Sequence, residues 1–255
     1  MSIPLQNSVV YGPIHSRRLG VSLGINILPT ERKYCFSNCV YCQYGFTDFK
    51  GMSRNQLKSA DFLLEKVEQG FSEYENCGLR PNSITFSGNG ESSTHPEFDF
   101  LVKGIKKLRD VYFPQTRLSI LSDSSQVHLK HVQKTLKQFD DCYMKLDAGD
   151  DRLMGVINNT RFRTSWNKKL GGLKQIPNVS IQSMFISSPV DNSSKEQVSD
   201  WLGKIEQIRP KELHLYTIDR SPADEKAKAV SKKRLYDIAK LVNKKLVQVD
   251  IKVFK

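Results

Sequence analysis

Short runs of β-branched and apolar residues alternate with segments of helical periodicity along most of this chain. Strands are predicted over residues 19–28, 83–88, 117–122, 142–147, 179–186 and 212–218, with a possible edge strand over 247–254. Helices are predicted over about 59–71, 98–108, 126–139, 194–208 and 228–244. This alternation produces βαβ units with parallel strands and right-handed crossovers. Six units are too few for an eight-unit barrel, so an open six-stranded barrel and a doubly wound sheet both fit the pattern.

Polar or glycine-rich segments follow the first four predicted strands. They are the cysteine-containing segment after residue 28, "SGNGES" at 87–92, "SDSS" at 122–125 and "KLDAGD" at 145–150. In either fold, the loops at the carboxyl ends of parallel strands meet at one edge of the sheet. The sequence therefore predicts that these four segments form one functional site.

Three of the five cysteines fall within eight residues, with the spacing Cys-x3-Cys-x2-Cys. They are Cys35, Cys39 and Cys42. Thiolates bind soft metals and iron–sulfur clusters, whereas a structural zinc site is closed by four ligands. His15 is a possible fourth zinc ligand, and Cys77 and Cys142 are isolated along the chain. Three cysteines without a fourth ligand suit a 4Fe–4S cluster with one open iron, and zinc is the alternative.

The chain carries an excess of positive charge. Its 255 residues include 39 basic and 27 acidic side chains, which gives a formal net charge of +12. This excess favours an anionic partner such as RNA, a phosphorylated small molecule or an acidic electron-transfer protein, although a solvated lysine-rich surface explains the same count. No apolar run is long enough to span a bilayer, and the N-terminus lacks the features of a signal peptide. We therefore expect a cytoplasmic protein with reduced thiols and no membrane segment.

The cysteine triplet, with Tyr41 before its last member, and the segment "GNGE" after the second predicted strand resemble the radical SAM superfamily. This resemblance implies an α/β fold, a partial (βα)6 TIM-like barrel with parallel strands. It implies that Cys35, Cys39 and Cys42 hold a 4Fe–4S cluster, whose open iron binds the methionyl amine and carboxylate of S-adenosylmethionine. The implied reaction is reductive cleavage of S-adenosylmethionine to a 5′-deoxyadenosyl radical. We expect a single domain over 1–255, with its core at about 19–222 and a basic helix and edge strand beyond.

The resemblance also assigns S-adenosylmethionine contacts to the other loops. The predicted cofactor-binding residues are Tyr41, Gly88, Asn89, Gly90, Glu91, Ser122, Lys145 and Asp147. Tyr41 would pack near adenine, although simple loop packing is its alternative. Glycines let the backbone approach a ligand, and the Glu91 carboxylate would pair with the methionyl ammonium. Ser122 and its neighbours would contact the ribose or the carboxylate, or would instead cap the helix that follows.

Lys145 and Asp147 occupy alternate positions of one predicted strand, so both point to the same side. An interior charge is costly unless it is paired or functional. We therefore expect one of them to contact S-adenosylmethionine or substrate. Asp150 is predicted to cap a helix, and Arg220, at the end of the sixth predicted strand, to meet an anionic substrate.

A narrower resemblance concerns the substrate. "YGPIHSRRLGVSLGINILP" at 11–29, together with the segments above and "YTIDR" at 216–220, is similar to radical SAM proteins related to wybutosine-synthesis enzymes, which modify a guanosine of tRNA. A second cysteine set is absent from this sequence, so that reaction itself is not expected. The predicted function is a radical SAM enzyme, an oxidoreductase or a transferase, that acts on an RNA nucleotide.

Two alternatives stay open from the sequence. In the first, the enzyme acts on a small molecule or a peptide, and its basic face docks an acidic electron donor such as flavodoxin or ferredoxin. In the second, the chain is a zinc-binding or iron–sulfur structural module without catalysis. The GNGE loop and the charged strand at 142–147 argue against this module, because it needs neither.

Overall fold

The computed structural model describes residues 3–161 and 164–254. The strands are β1 (Val10–Ser16), β2 (Gly20–Ile25), β3 (Ser83–Phe86), β4 (Arg117–Ser122), β5 (Asp141–Lys145), β6 (Ser180–Ser188), β7 (Glu212–Thr217), β8 (Lys228–Ala229) and β9 (Asp250–Phe254). The α-helices are α1 (Ala60–Asn76), α2 (Phe98–Tyr112), α3 (Lys130–Leu136), α4 (Asp151–Asn158), α5 (Trp166–Leu173), α6 (Lys195–Ile208) and α7 (Lys232–Lys245). None of the helices in these described ranges has the length and apolar character needed to cross a membrane.

The strands β2 to β7 form a parallel sheet in which each strand is hydrogen-bonded to the next one in sequence. β1 lies antiparallel to β2 at one edge, and β9 lies parallel to β7 at the other. A doubly wound sheet reverses its strand order near the middle, whereas a barrel winds in one direction. The one-way order confirms the predicted partial (βα)6 barrel. Residues 1, 2, 162, 163 and 255 of the predicted single domain lie outside the described residues.

The sheet curves so that its first and last strands face a common interior. A cavity of about 400 Å³ is lined by residues from the amino-terminal ends of β3, β4, β5, β7 and β9 and from the β1–β2 turn. Arg18, in that turn, donates from Nη1 to Gln182 Oε1 on β6 over 2.8 Å. Its guanidinium carbon also lies 5.5 Å from the ring centroid of Tyr216 on β7. Arg18 therefore links the two halves of the curved sheet across the interior.

The two faces of the sheet differ in polarity. Alternate strand residues are apolar, fully buried and part of the main core with the helices, among them Leu23, Ile25, Ile84, Phe86, Leu118, Ile120, Ile181, Leu213 and Leu215. The intervening positions face the interior and are largely polar. Ser22 and Thr85 share a hydrogen bond of 2.8 Å, and Ser83 donates to Ser119 over 2.9 Å. The apolar core thus lies between sheet and helices, and the interior is polar.

Several element boundaries differ from the sequence predictions. β1 was not predicted because Gly12 and Pro13 lie within it, and proline is confined to edge strands and bulges. β1 is such an edge strand, with a register shift between Tyr11 and Ile14. The predicted helices at 126–139 and 228–244 begin later, at Lys130 and Lys232. Residues 125–128 form turns before α3, and β8 pairs with β6 before α7 begins.

The helices α4 and α5 were also missed. Each has eight residues, and both contain glycine. Such short helices show barely two turns of periodicity, and glycine weakens the helical signal further. Both helices lie between β5 and β6, and they contribute side chains to the site described below.

The cysteine-containing loop is held on the sheet by the loop after β3. Tyr34 donates from its backbone N to Asn89 O over 2.8 Å, and Glu91 N donates to Tyr34 O over 3.2 Å. Gly90, between the two, has a φ of +150°, and a Cβ there would overlap the backbone carbonyl of Tyr34. A glycine is therefore required at position 90 for this close approach.

We expect Gly90→Ala to destabilise the protein by about 2–4 kcal/mol, because it combines backbone strain with overpacking. Chemical denaturation measures the change. The matched control is Gly203→Ala in the interior of α6, where an added Cβ meets no neighbouring atom. That variant should gain about 0.5–1 kcal/mol. Equal stability of the two variants would contradict the close contact between the loops.

Candidate functional site

The four segments predicted to form one site do meet at the carboxyl end of the sheet. Ser37, in the cysteine loop, donates from Oγ to Asp123 Oδ2 in the loop after β4 over 2.6 Å. Tyr41, in the same loop, donates from its hydroxyl to Asp147 after β5. The loop after β3 contributes the backbone bonds to Tyr34. The shared edge of a parallel sheet thus brings these segments together, as expected.

A second backbone docking fixes the other side of the cysteine loop. Asn38 N donates to Asn158 O over 2.9 Å, and Val40 N donates to Ile157 O over 2.9 Å, both at the C-terminal end of α4. Ser37 also forms an isolated antiparallel bridge with Thr160. The loop carrying the thiols is therefore fixed between the GNGE segment and α4.

All three cysteines of the triplet are free thiols, and each has a different polar neighbour. The Cys35 Sγ lies 3.7 Å from Asp123 Oδ2. Asn158 Nδ2 donates to Cys39 Sγ over 3.4 Å, and Lys33 Nζ donates to Cys42 Sγ over 3.2 Å. His15 lies on β1 opposite Val21, near the start of β2, whereas the cysteines follow the end of that strand. His15 is therefore at the wrong end of β2 to complete a zinc site with them.

Three thiols on one loop are donors that suit an iron–sulfur cluster as well as a single soft metal ion. In the described ranges 3–161 and 164–254, no three His, Cys, Asp or Glu side chains are placed to hold one metal ion. The thiolates of a 4Fe–4S cluster bind different irons, so they need not converge on one point. Burial alone would lower the pKa of Lys33, whereas the thiolate forms of Cys42, Cys35 and Cys39 would raise it. The observed contact of this ammonium with the triplet is its hydrogen bond to the Cys42 sulfur.

Burial raises the pKa of the Cys35 and Cys39 thiols, and the Asp123 carboxylate raises that of Cys35 further. These thiols are therefore protonated when no metal is bound. Metal binding would release their protons, as it does at other thiolate sites.

Asp147 is the centre of a buried hydrogen-bond network. Its carboxylate accepts from the Tyr41 hydroxyl, from Asn158 Nδ2 over 2.9 Å and from Met184 N over 2.8 Å. Lys145 Nζ lies 3.4 Å from Asp147 Oδ1 and 4.2 Å from the Tyr41 ring centroid. Burial would lower the pKa of Lys145, but Asp147 and other neighbours raise it well above its ordinary value. Lys145 and Asp147 therefore point to the same side and form a charged pair, next to Tyr41.

Glu91 joins the loops after β3 and β4. This carboxylate is 1% exposed. It accepts from Ser93 N and Oγ over 3.0 and 2.6 Å, from Ser122 Oγ over 3.1 Å and from Asp123 N over 2.6 Å. Burial, and then the Asp123 charge, raise the pKa of Glu91 to about 8. Its oxygens are thus engaged by protein donors, and Ser122 contacts Glu91 directly.

Asn89 directs its side chain away from the cysteines. Its Nδ2 donates to Gln6 O over 2.8 Å and to Pro29 O over 2.9 Å, and its Oδ1 accepts from Gln6 N. The adjacent Gly88 has a φ of +115° and packs against Asn26. The side chain of Asn89 therefore anchors the N-terminal segment, and its backbone carbonyl holds Tyr34. Its predicted role toward S-adenosylmethionine stays a prediction, as do those of the other assigned residues.

Asp150 and Arg220 lie at the edges of this region. Asp150 caps α4, since its Oδ1 accepts from Leu153 N over 2.7 Å, which confirms the predicted cap. Arg220 Nη1 donates to Gln43 Oε1 over 2.9 Å, beside Cys42 in the sequence. Arg220 is exposed and stays available to a charged partner.

Sequence reasoning missed Asn158 and Lys169 because both lie on the unpredicted helices α4 and α5. The buried Lys169 donates from Nζ to Asp123 O over 3.3 Å. Burial lowers its pKa, although the charges of Asp123 and Asp147 oppose this shift. The lysine at position 33 could have been noticed from its place two residues before Cys35, but a lysine near a loop is too common a signal to single out.

Some buried polar atoms here have no protein partner. They are the hydroxyls of Ser124 and Ser125 and the Oδ1 of Asn158. Buried polar atoms are rarely left without hydrogen bonds, so an unpaired group calls for a ligand, an ion or water. Ser124 and Ser125 follow Asp123, and Asn158 contacts Cys39. The unpaired atoms thus lie on both sides of the cysteine loop.

Comparison with known proteins gives relatives of similar sequence. No protein-family model matches the chain. It is 28% identical over 231 residues to a Brachyspira hyodysenteriae protein named GTPase Obg. The aligned region covers 89% of this chain and 32% of that protein. It is 28% identical over 221 residues to a UPF0026 protein of Methanocaldococcus jannaschii, with 85% and 65% covered. The chain therefore spans less than two thirds of the length of either relative.

Solved structures of similar fold are radical SAM proteins. A radical SAM methyltransferase from Sphaerobacter thermophilus matches with a TM-score of 0.67 and 11% identity, over 91% of this chain and 66% of that one. Streptococcus suis SuiB bound to S-adenosylmethionine matches with a TM-score of 0.63 and 13% identity, over 90% and 51%. Archaeal TYW1 matches with a TM-score of 0.52 and 14% identity, over 88% and 71%. The predicted resemblance is confirmed at the level of the fold: this chain folds as radical SAM enzymes do.

Proposed function

We propose that this protein is a cytoplasmic radical SAM enzyme, in which Cys35, Cys39 and Cys42 hold a 4Fe–4S cluster. One observation carries the proposal: in a fold shared with radical SAM enzymes, three free thiols lie on one fixed loop, beside buried polar atoms that lack partners. When bound and reduced, the cluster supplies the electron that splits S-adenosylmethionine into methionine and a 5′-deoxyadenosyl radical, which removes hydrogen from the substrate.

The residues around the thiols suit a zwitterionic, hydroxyl-bearing ligand such as S-adenosylmethionine. Two carboxylates, Glu91 and Asp123, could face its ammonium. Glu91 accepts four protein hydrogen bonds, whereas Asp123 accepts from Ser37 Oγ and Cys35 Sγ at Oδ2 and from Ser125 N at Oδ1. We therefore propose Asp123 as a second partner for the ammonium, beside the predicted Glu91.

The opposite charge of such a ligand also has a partner. Lys169 is buried, and its Nζ contacts a backbone carbonyl rather than a carboxylate. A buried ammonium without a paired carboxylate favours an anionic group beside it. We therefore assign the methionyl carboxylate to Lys169, and the ribose hydroxyls to the unpaired Ser124 and Ser125. Tyr41 and the pair of Lys145 and Asp147 close the interior side of the site, which helps to exclude water.

The first test removes one thiol. After anaerobic reconstitution with iron and sulfide, we expect Cys39→Ala to bind less iron than the wild type and to lose 5′-deoxyadenosine formation from S-adenosylmethionine and dithionite by at least a hundredfold, since two thiolates hold the cluster poorly. Iron analysis and chromatography measure the two quantities. Cys77→Ala, at an exposed cysteine outside the loop, is the matched control and should behave as the wild type. Equal product from Cys39→Ala and Cys77→Ala would refute the ligand assignment.

We further propose that the substrate is an RNA nucleotide. Residues 211–255 contain twelve Lys or Arg and six Asp or Glu. Several of the cations are exposed in the segment that follows the carboxyl end of β7, at the same end of the sheet as the cysteines: Arg220, Lys226, Lys228, Lys232 and Lys233. Cations around the entrance to the cysteine site would contact phosphates on either side of the reacting nucleotide. The alternative is a small-molecule or peptide substrate, with these cations docking an acidic flavodoxin or ferredoxin.

RNA binding can be tested through its salt dependence. We expect Lys226, Lys228 and Lys232, changed together to Ala, to reduce the slope of log affinity against log salt by about 2, since each phosphate contact in single strands adds about 0.7. Filter binding to a tRNA mixture measures the slope. The control changes Lys240, Lys244 and Lys245, exposed near the other end of α7, and should alter the slope far less.

Two results would favour the alternative. In one, both triple variants bind RNA alike, and weakly. In the other, the variant changed at Lys226, Lys228 and Lys232 loses salt-sensitive reduction by flavodoxin or ferredoxin, while its RNA binding is unchanged. The cations would then bind the acidic electron donor.

A further inference from the structure

Lys33 is a buried cation within the cysteine loop, two residues before Cys35. It is 8% exposed. Its Nζ donates to Cys42 Sγ over 3.2 Å and to Gly45 O over 2.7 Å. Across the described part of the chain, no ion pair joins Lys33 to a carboxylate, and its ammonium donates to a cysteine sulfur and a backbone carbonyl instead. A buried ammonium without a paired carboxylate is stabilised by negative charge on the sulfur that it contacts, which a thiolate bound to a cluster would supply.

The position of this ammonium is set by the backbone of the loop itself. Gly45 N donates to Cys42 O over 3.1 Å, and Cys42 N donates to Cys39 O over 3.0 Å, so successive turns fix the Gly45 carbonyl relative to Cys42. Gly45 adopts a φ of +77°, which favours glycine at this turn. The same turn therefore carries both acceptors of the Lys33 amine, the Cys42 sulfur and the Gly45 carbonyl.

We propose that Lys33 donates a hydrogen bond to the Cys42 sulfur in the holoenzyme and thereby raises the reduction potential of the cluster. This inference rests on the proposed function, since it needs the cluster at these cysteines. Hydrogen bonds to the sulfurs, net charge and solvent exposure are the means by which a protein sets the potential of such a cluster. Here one residue supplies both a hydrogen bond and a positive charge to the sulfur.

The effect has a defined sign. Reduction transfers one electron from an external donor to the cluster, with no bond broken and no proton moved at Lys33, so the cluster and its thiolates gain one negative charge. A fixed cation beside them stabilises the reduced form more than the oxidised form. Without this cation, a given reductant would leave a smaller fraction of the cluster reduced.

The experiment is a redox titration of reconstituted full-length protein, followed by electron paramagnetic resonance of the reduced cluster. At the wild-type midpoint potential, we expect Lys33→Met to lower the ratio of reduced to oxidised cluster at least tenfold, a shift of about 59 mV for one electron. Lys33→Arg keeps the charge and should stay near the wild type. Lys33→Gln keeps a donor without the charge and should lie between them. Lys50→Met, at an exposed lysine of the same loop, is the control and should not change the potential.

Iron and sulfide are measured in every sample, at about four of each per chain for a complete cluster. If Lys33→Met takes up no iron, the Gln and Arg variants decide the question. A wild-type potential in every cluster-bearing Lys33 variant, Gln included, would overturn the role of Lys33. A wild-type protein that forms no cluster, or that forms one and does not cleave S-adenosylmethionine, would instead overturn the proposed function. The potential and the cleavage assay thus separate the two failures.

Discussion

The cysteine loop keeps its shape because it is docked on both sides by backbone hydrogen bonds. On one side, Tyr34 pairs with the segment around Gly90, and on the other, residues 36–40 pair with the end of α4 and the residues after it. The loop has little regular structure of its own, and backbone groups buried without partners are costly. Hydrogen bonds to the segment around Gly90 and to the end of α4 satisfy these backbone groups. These hydrogen bonds also fix the spacing of three thiols that the loop alone could not hold.

The interior next to this loop is unusually polar for the centre of a small barrel. Lys145, Lys169, Asp123 and Asp147 are all largely buried there, around the thiols and Tyr41. Apolar side chains at these positions would stabilise the fold better than such charges. Burying a charge costs free energy that only pairing offsets, so unpaired charges here indicate a function. Lys145 is paired with Asp147, whereas the contact seen for the Lys169 amine within the described residues is a backbone carbonyl. The unpaired charges and hydroxyls lie toward the cysteines, which is where the proposed ligand would bind.

Much of this arrangement could be predicted from the sequence, and the failures have physical causes. The six parallel strands and their order follow from strong apolar runs, and the meeting of four polar loops follows from the topology of a parallel sheet. The partners of those loops could not be predicted. Asn158 and Lys169 lie on short helices with weak periodicity, and the opposite directions of the Asn89 side chain and backbone depend on a tertiary contact with Gln6. The sequence shows that a residue lies on a loop, but it does not show which tertiary neighbours form hydrogen bonds with its side chain and backbone.

The three thiols stand in different electrostatic surroundings, and this difference bears on how a cluster would behave there. Cys35 lies beside the carboxylate of Asp123, Cys39 beside the neutral amide of Asn158, and Cys42 beside the ammonium of Lys33. Added negative charge is least favourable near a carboxylate and most favourable near an ammonium. An electron entering such a cluster would therefore be stabilised most on the Cys42 side. Since Gly45 and Arg220 also adjoin that side, and Arg220 is exposed, the favoured edge for the electron lies toward the surface where an external donor could approach.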